Sequence, residues 1–94
     1  MFQISREPNG DIKLKGRLDA TAVDDASKVL QTVADSVNVD FKELEYIASA
    51  GLGVLFATQK RLKHAGKGLV LINLNSHIRD VFRFARFDLV FEIR

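Results

Sequence analysis

Few residues in this chain could do chemistry. There is no cysteine, and the only histidines are His64 and His77, on separate predicted helices. That excludes a disulfide framework, a thiolate metal site and a thiol nucleophile, and it leaves too few parts for zinc or histidine-based catalysis. No metal and no cofactor is expected. What remains is a hydroxyl: Ser49 sits in Tyr46-Ile47-Ala48-Ser49-Ala50-Gly51-Leu52-Gly53, where an extended segment breaks and a helical pattern begins. The hydrolase elbow also puts a serine at such a turn, but it needs Gly-x-Ser-x-Gly with an acid and a histidine to follow, and Ile47-Ala48-Ser49-Ala50-Gly51 does not match. There is no Walker-type glycine loop with its lysine, and Gly51-Leu52-Gly53 alone does not make a dinucleotide site. The chain is therefore not expected to be an enzyme. Two uses of Ser49 stay open: a plain helix N-cap, or the acceptor of a modification. A phosphate there, with about −1.5 to −2 charges, would meet unpaired backbone N–H groups and the positive end of the helix dipole. It would also oppose any apolar or acidic partner docked over it. Asp19 and Asp40 read in two ways as well, as turn and strand-end residues that satisfy backbone donors or as the lining of a small acidic pocket beside Ser49.

The elements that must place these groups fit one domain, 1–94, because 94 residues support a single core and no separate cofactor domain. Phe2 to Arg6 and Ile12 to Lys15 alternate apolar with polar residues around Pro8-Asn9-Gly10-Asp11, an antiparallel hairpin in which both Asn9 and Gly10 tolerate positive φ. Gly16 loosens the backbone after them. A helix is predicted from Thr21 to about Ala34, with Thr21 and Asp24 at capping-box spacing. Val37 to Phe41 is a short strand, and Lys42-Glu43-Leu44-Glu45 separates it from Tyr46 and Ile47. From Leu52 a second helix turns Leu52, Leu55, Phe56, Gln59 and Leu62 inward and ends at Gly66 and Gly68. Leu69-Val70-Leu71-Ile72 suits a strand covered on both faces. Asn75 or Ser76 caps a third helix with Ile78, Val81, Phe82 and Ala85 on its apolar face, and Leu89 to Ile93 forms a last edge strand. The order β-β-α-β-α-β-α-β predicts an α/β fold, a mixed sheet flanked by helices.

Surface charge narrows the partners. A formal charge of +2 is far short of a nucleic-acid footprint, and Arg79, Arg83 and Arg86 with Phe82, Phe84 and Phe87 read better as a solvated helix face than as a base-stacking platform. Phe84 lies off the apolar stripe, where it suits a partner contact or, as the favoured reading, packing against Phe87 or Phe91. His64 and His77 read as surface residues. On the second helix Val54, Ala57 and Arg61 flank the core face, as a docking surface beginning at Ser49 would, or as an ordinary helix shoulder. With no apolar run of membrane-spanning length and no leader pattern, a cytoplasmic protein without direct membrane insertion is expected.

The sequence resembles the STAS-domain family, the bacterial anti-sigma factor antagonists. The resemblance rests on Gly16-Arg17-Leu18-Asp19, on Val39-Asp40, on Tyr46 to Gly53, on the strand Leu69 to Leu74, on the helix Asn75 to Ala85 and on Phe87-Asp88-Leu89-Val90-Phe91. It implies a regulatory binding module that docks on a serine-kinase anti-sigma factor and is released when that kinase phosphorylates the serine at the position of Ser49, a phosphatase resetting it. Asp19 and Asp40 match acidic positions near the acceptor, Ala48, Ala50 and Gly51 would be its neighbours, and Leu52, Gly53, Val54, Ala57 and Arg61 the partner surface. Many members carry an acidic residue or a serine where Ala48 stands, and relatives usually continue beyond the position of Arg94 into a further helix. A thinly covered sheet face would leave room for a homodimer or a partner. The alternative is a STAS-like non-catalytic subunit of a transporter or larger signalling assembly.

Overall fold

The computed structural model describes all residues, 1–94. Strands β1 (Phe2–Arg6), β2 (Ile12–Leu18), β3 (Val37–Ile47), β4 (Leu69–Ile72) and β5 (Glu92–Ile93) are joined through helices α1 (Val23–Leu30), α2 (Ser49–His64) and α3 (Ser76–Phe84), with 3-10 turns at Ala20–Ala22 and Phe87–Leu89. The strands lie in the order β1-β2-β3-β4-β5, β1 antiparallel to β2 and every other pair parallel. This is the mixed sheet and the element order that the apolar periodicities imply.

All three helices cover one face of that sheet. Ile12, Leu14 and Leu18 of β2, Val39, Phe41, Leu44 and Ile47 of β3, and Leu69 and Leu71 of β4 join Ala26, Leu30, Leu55, Leu62, Ile78 and Phe82 of the helices in a single core. Lys13, Lys15 and Arg17 alternate to the other face, which is polar along β2. There Lys13 Nζ lies 2.6 Å from a Glu43 carboxylate oxygen. That contact holds Glu43 below its ordinary range and Lys13 above its own, first through the shared hydrogen bond and then through the charges. The two-sided cover expected for Leu69 to Ile72 is absent: Val70 and Ile72 are only half-buried. An aromatic cluster closes the far side of the core, where Phe82 packs edge-on against Phe41 and Phe91, both at 5.8 Å, and Phe56 stacks on Phe87 at 5.4 Å. So Phe56, expected inward, lies at the margin, 38% exposed.

Several local expectations are corrected. The β1–β2 turn runs through Pro8 and Asn9, closed by the Gly10 N–H on the Glu7 carbonyl at 2.8 Å, and only Gly10 takes positive φ, +93°. Gly16 does not end β2. It sits inside the strand at φ +89°, where a Cβ would come within 1.8 Å of the Met1 carbonyl oxygen. The Thr21 capping box does not form, because Asp19 accepts from both the N–H and the hydroxyl of Thr21, at 3.0 and 2.6 Å, and caps the 3-10 turn instead. α1 then starts at Val23 and stops at Leu30, where Arg61 Nη2 donates to the Leu30 carbonyl at 3.0 Å. Lys42 to Glu45 does not interrupt β3, an 11-residue strand whose register shifts twice against β2. Asn75 caps α3 through Ile78 N–H at 2.8 Å. The expected last strand shortens to Glu92–Ile93, since Phe87–Leu89 turns into a 3-10 helix after Arg86 at φ +62°.

Candidate functional site

The C-terminal ends of β2 and β3 are tied together and hand the chain to α2. Leu18 pairs with Ile47, and the Ala48 N–H donates to the Leu18 carbonyl at 2.9 Å, so Asp19 and Ser49 follow directly from the two partners of one hydrogen bond. Ala48, extended at φ −97° and ψ 169°, occupies the N-cap position with no side-chain cap. Ser49 is therefore the first residue inside the helix, which removes the N-cap reading for it. Its side chain is exposed and its hydroxyl forms no hydrogen bond within the chain. The first rung of the helix is Leu52 N–H to the Ala48 carbonyl at 3.1 Å. The N–H groups of Ser49, Ala50 and Gly51 are thus left without an intrahelical acceptor. No acidic residue stands in this first turn, while Arg61, Lys63 and His64 occupy the last. The helix dipole is countered at its carbonyl end and open at its amide end.

Gly51 makes the junction possible. It is buried, and a Cβ built on it would lie 2.7 Å from Leu18 Cγ, 2.9 Å from the Leu18 carbonyl oxygen and 3.1 Å from Ile47 Cγ1. Only a residue without a side chain lets the first turn of α2 press against the ends of both strands. Two residues on, Gly53 is exposed and a Cβ there would meet nothing within 4 Å. The fold does not require it. Gly53 lines a shallow groove of about 460 Å³ with Ala50, Val54, Ala57 and Arg61 on the α2 side and Ser27 and Gln31 on the α1 side. The α1 residues carry no sequence signal of their own. They form the polar shoulder of a helix, and only tertiary packing sets them across from α2. Leu52 does not belong to this surface: it is 7% exposed and faces the core.

The two aspartates part company. Asp19 flanks the junction, and the Thr21 hydroxyl and N–H, with the nearby Arg17 charge, hold its carboxyl below the ordinary range. Arg17 itself lies over the Tyr46 ring at 4.3 Å, on the open face of the sheet. Asp40 is no neighbour of Ser49. It pairs with Lys13, five positions before Leu18 on β2, which is about 16 Å back along the strand. Its carboxylate accepts from Lys42 N–H at 2.8 Å and from Asn73 Nδ2 at 3.0 Å, so it ties β3 to the turn before α3. An acidic pocket made of both is not formed, and Asp40 stands inside β3 rather than at a strand end, where it satisfies the Lys42 N–H. His64 and His77 are exposed on different helices, and no three acidic or histidine side chains converge on a point. A larger hollow, about 750 Å³, runs along β1 far from Ser49, its lysines Lys13, Lys15 and Lys28 matched by Glu7, Asp25 and Glu43.

One structural residue was legible only as an apolar-stripe position. Gln59, 2% exposed, accepts from Leu69 N–H at 2.7 Å and donates to the Val90 carbonyl at 2.9 Å, clamping α2 between β4 and the segment before β5.

Comparison with known proteins gives this geometry a lineage. The chain is 39% identical over 57 residues to BtrV of Bordetella bronchiseptica, assigned as an anti-sigma factor antagonist, a match covering 61% of this chain and 49% of that protein. It thus spans about half the length of the curated relative it matches. Among solved structures it is similar to an anti-sigma factor antagonist from Mycobacterium paratuberculosis, with TM-score 0.83 and 16% identity over 99% of this chain and 83% of the other. It is also similar to the Bacillus cell fate determinant SpoIIAA in its phosphorylated form, with TM-score 0.71 and 20% identity over 100% and 91%. These likenesses share the fold. The family model described as "Mlab, STAS domain" matches residues 2–92, nearly the whole chain, and this protein belongs to that STAS-domain family.

Proposed function

We propose that this domain is an anti-sigma factor antagonist: it binds a serine-kinase anti-sigma factor and is released when the kinase phosphorylates Ser49. The observation that carries the reading is the state of that serine, an exposed hydroxyl with no partner at the open amide end of α2. A phosphate on it gains the unpaired N–H groups of the first turn, so the domain accepts the modification without unfolding. The partner, seated in the groove lined by Gly53, Val54, Ala57 and Arg61, would then face a desolvated dianion at its edge. The same lineage supports a protein that acts in the bacterial cytoplasm by binding, with no reaction of its own, and a phosphatase that returns it to the binding form.

The test is to incubate the domain with its genomically paired kinase and ATP, then map the phosphate and measure binding. We expect label on Ser49, none on Ser49→Ala, persistent binding of that variant, and loss of binding by Ser49→Asp. Equal labelling of wild type and Ser49→Ala would place the acceptor elsewhere. A second reading, a non-catalytic subunit of a transporter or larger signalling assembly, draws on Ala48, which brings neither carboxylate nor hydroxyl to the residue before the acceptor. Under it a permease or transport ATPase copurifies from the native cell and no kinase does.

A further inference from the structure

We propose that the end of α3 and the 3-10 turn after it form a second docking surface, for an acidic segment of a partner protein. Phe84 is 89% exposed and Leu89 78%, and among large apolar side chains only Met1 at the chain start is as bare. The expected packing of Phe84 on Phe87 or Phe91 does not occur: those two rings join Phe41, Phe56 and Phe82 in the aromatic cluster, and Phe84 stands outside it. Neither Phe84 nor Leu89 lines any of the hollows of the surface. They are knobs, and the proposed partner would supply the pocket.

The charge around them selects its chemistry. The chain has seven lysines and seven arginines, yet residues 76–94 hold four arginines and no lysine. Arg79 and Arg86 have no carboxylate within ion-pair distance, and Arg83 only the exposed Asp80 at 3.6 Å. On this segment the three arginines Arg79, Arg83 and Arg86 stand against Asp80 and Asp88. Arg86 holds a left-handed conformation, φ +62°, at a position after a helix where glycine is the unstrained choice. An anionic bilayer takes lysine as readily as arginine, whereas carboxylates gain from the planar guanidinium fork, and aromatic residues with arginines mark protein interfaces. A second copy of this chain would set like charges against each other. The patch also lies apart from the serine, since α3 starts at the C-terminal ends of the strands and runs back toward their N-terminal ends.

The test is to place the photocrosslinker p-benzoylphenylalanine at position 84 in the full chain, irradiate native cells and sequence what is joined to it. We expect a peptide of another protein rich in aspartate and glutamate. The synthetic peptide should bind the purified domain and lose at least about tenfold in affinity to the Arg83→Glu/Arg86→Glu variant. Exchanging its carboxylates for lysines should restore binding to that variant. The exposed Phe84→Ser/Leu89→Ser pair should abolish binding with an unchanged melting curve, and Ser49→Asp should leave crosslinking as it was. Crosslinks confined to lipid or to a second copy of this chain, no crosslink at all, or crosslinking that falls with Ser49→Asp would each overturn the proposal.

Discussion

Gly51 and Gly53 lie two residues apart on α2, and replacing each with alanine should move stability in opposite directions. Both variants gain helix propensity, worth up to about 1 kcal/mol per residue and less toward the helix end. Their difference therefore isolates what the new methyl meets. At Gly53 it meets nothing within 4 Å, so Gly53→Ala should stabilise the domain by about 0.5–1 kcal/mol. At Gly51 it would lie 2.7 Å from Leu18 Cγ and 2.9 Å from the Leu18 carbonyl oxygen. The side chain can turn aside. The oxygen cannot, because the Ala48 N–H holds it at 2.9 Å. Either that bond breaks or the first turn of α2 lifts, an overpacking cost of about 1–3 kcal/mol. Urea unfolding of the two variants against wild type measures the difference directly, provided the slopes agree. If Gly51→Ala proves as stable as Gly53→Ala, the close approach that seats Ser49 against β2 and β3 is wrong. If the groove is the docking surface, Gly53→Ala should also weaken partner binding while stabilising the fold, as expected of a residue kept for function.

Phosphorylating Ser49 in the isolated domain should raise its stability by about 0.3–1 kcal/mol through the dipole and free N–H groups, seen as a higher melting temperature that salt diminishes. Gln59→Leu strands the Leu69 N–H and the Val90 carbonyl and should cost about 2–4 kcal/mol in chemical denaturation. Arg86→Gly relieves the left-handed arginine and should stabilise by about 1 kcal/mol in the same assay, with unchanged Ser49-dependent binding. Asp19 and Glu43 have lowered pKa values, so their contribution is complete above the ordinary values of 3.8 and 4.5 and is lost as pH falls through the lower folded values. Lys13 is raised, so its contribution is complete below 10.5 and fades as pH climbs past it. Asp19→Asn should flatten the acid limb of the stability profile, and NMR titration of the two carboxylates checks the direction.

The architecture was legible because periodicity is a local signal. The β1 alternation, the α3 stripe of Ile78 and Phe82 and the Asn75 cap all came through, since each depends on residues within one turn or strand. What escaped depends on competition or on distant pairing. Thr21 has the spacing of a cap, but its hydroxyl and N–H are taken by Asp19 two residues earlier. Lys42 to Glu45 looks like a loop because one strand face is polar and two register shifts blur the period. Asp40 looked like a neighbour of Ser49 until the register with Lys13 set it far down the sheet. For the site, the serine and its glycines could be read from the chain. The facing residues Ser27 and Gln31 could not, because helix–helix packing alone brings them there.

The great length of β3 leaves it with two characters. From Val37 to Asp40 it is an interior strand held on both sides, but β4 stops at Ile72 and from Phe41 onward β3 pairs with no strand but β2, the Asn75 side-chain amide alone reaching the Leu44 carbonyl from the other side at 3.5 Å. That ledge carries the chain out to Ser49 with one rim free of any strand, and Lys42, Glu43 and Glu45 stand along it. Charges on an unpaired strand discourage a stranger from zipping on. Backbone amides there should exchange with solvent sooner than those near Val39, so the segment leading to Ser49 can yield while the body beneath stays shut.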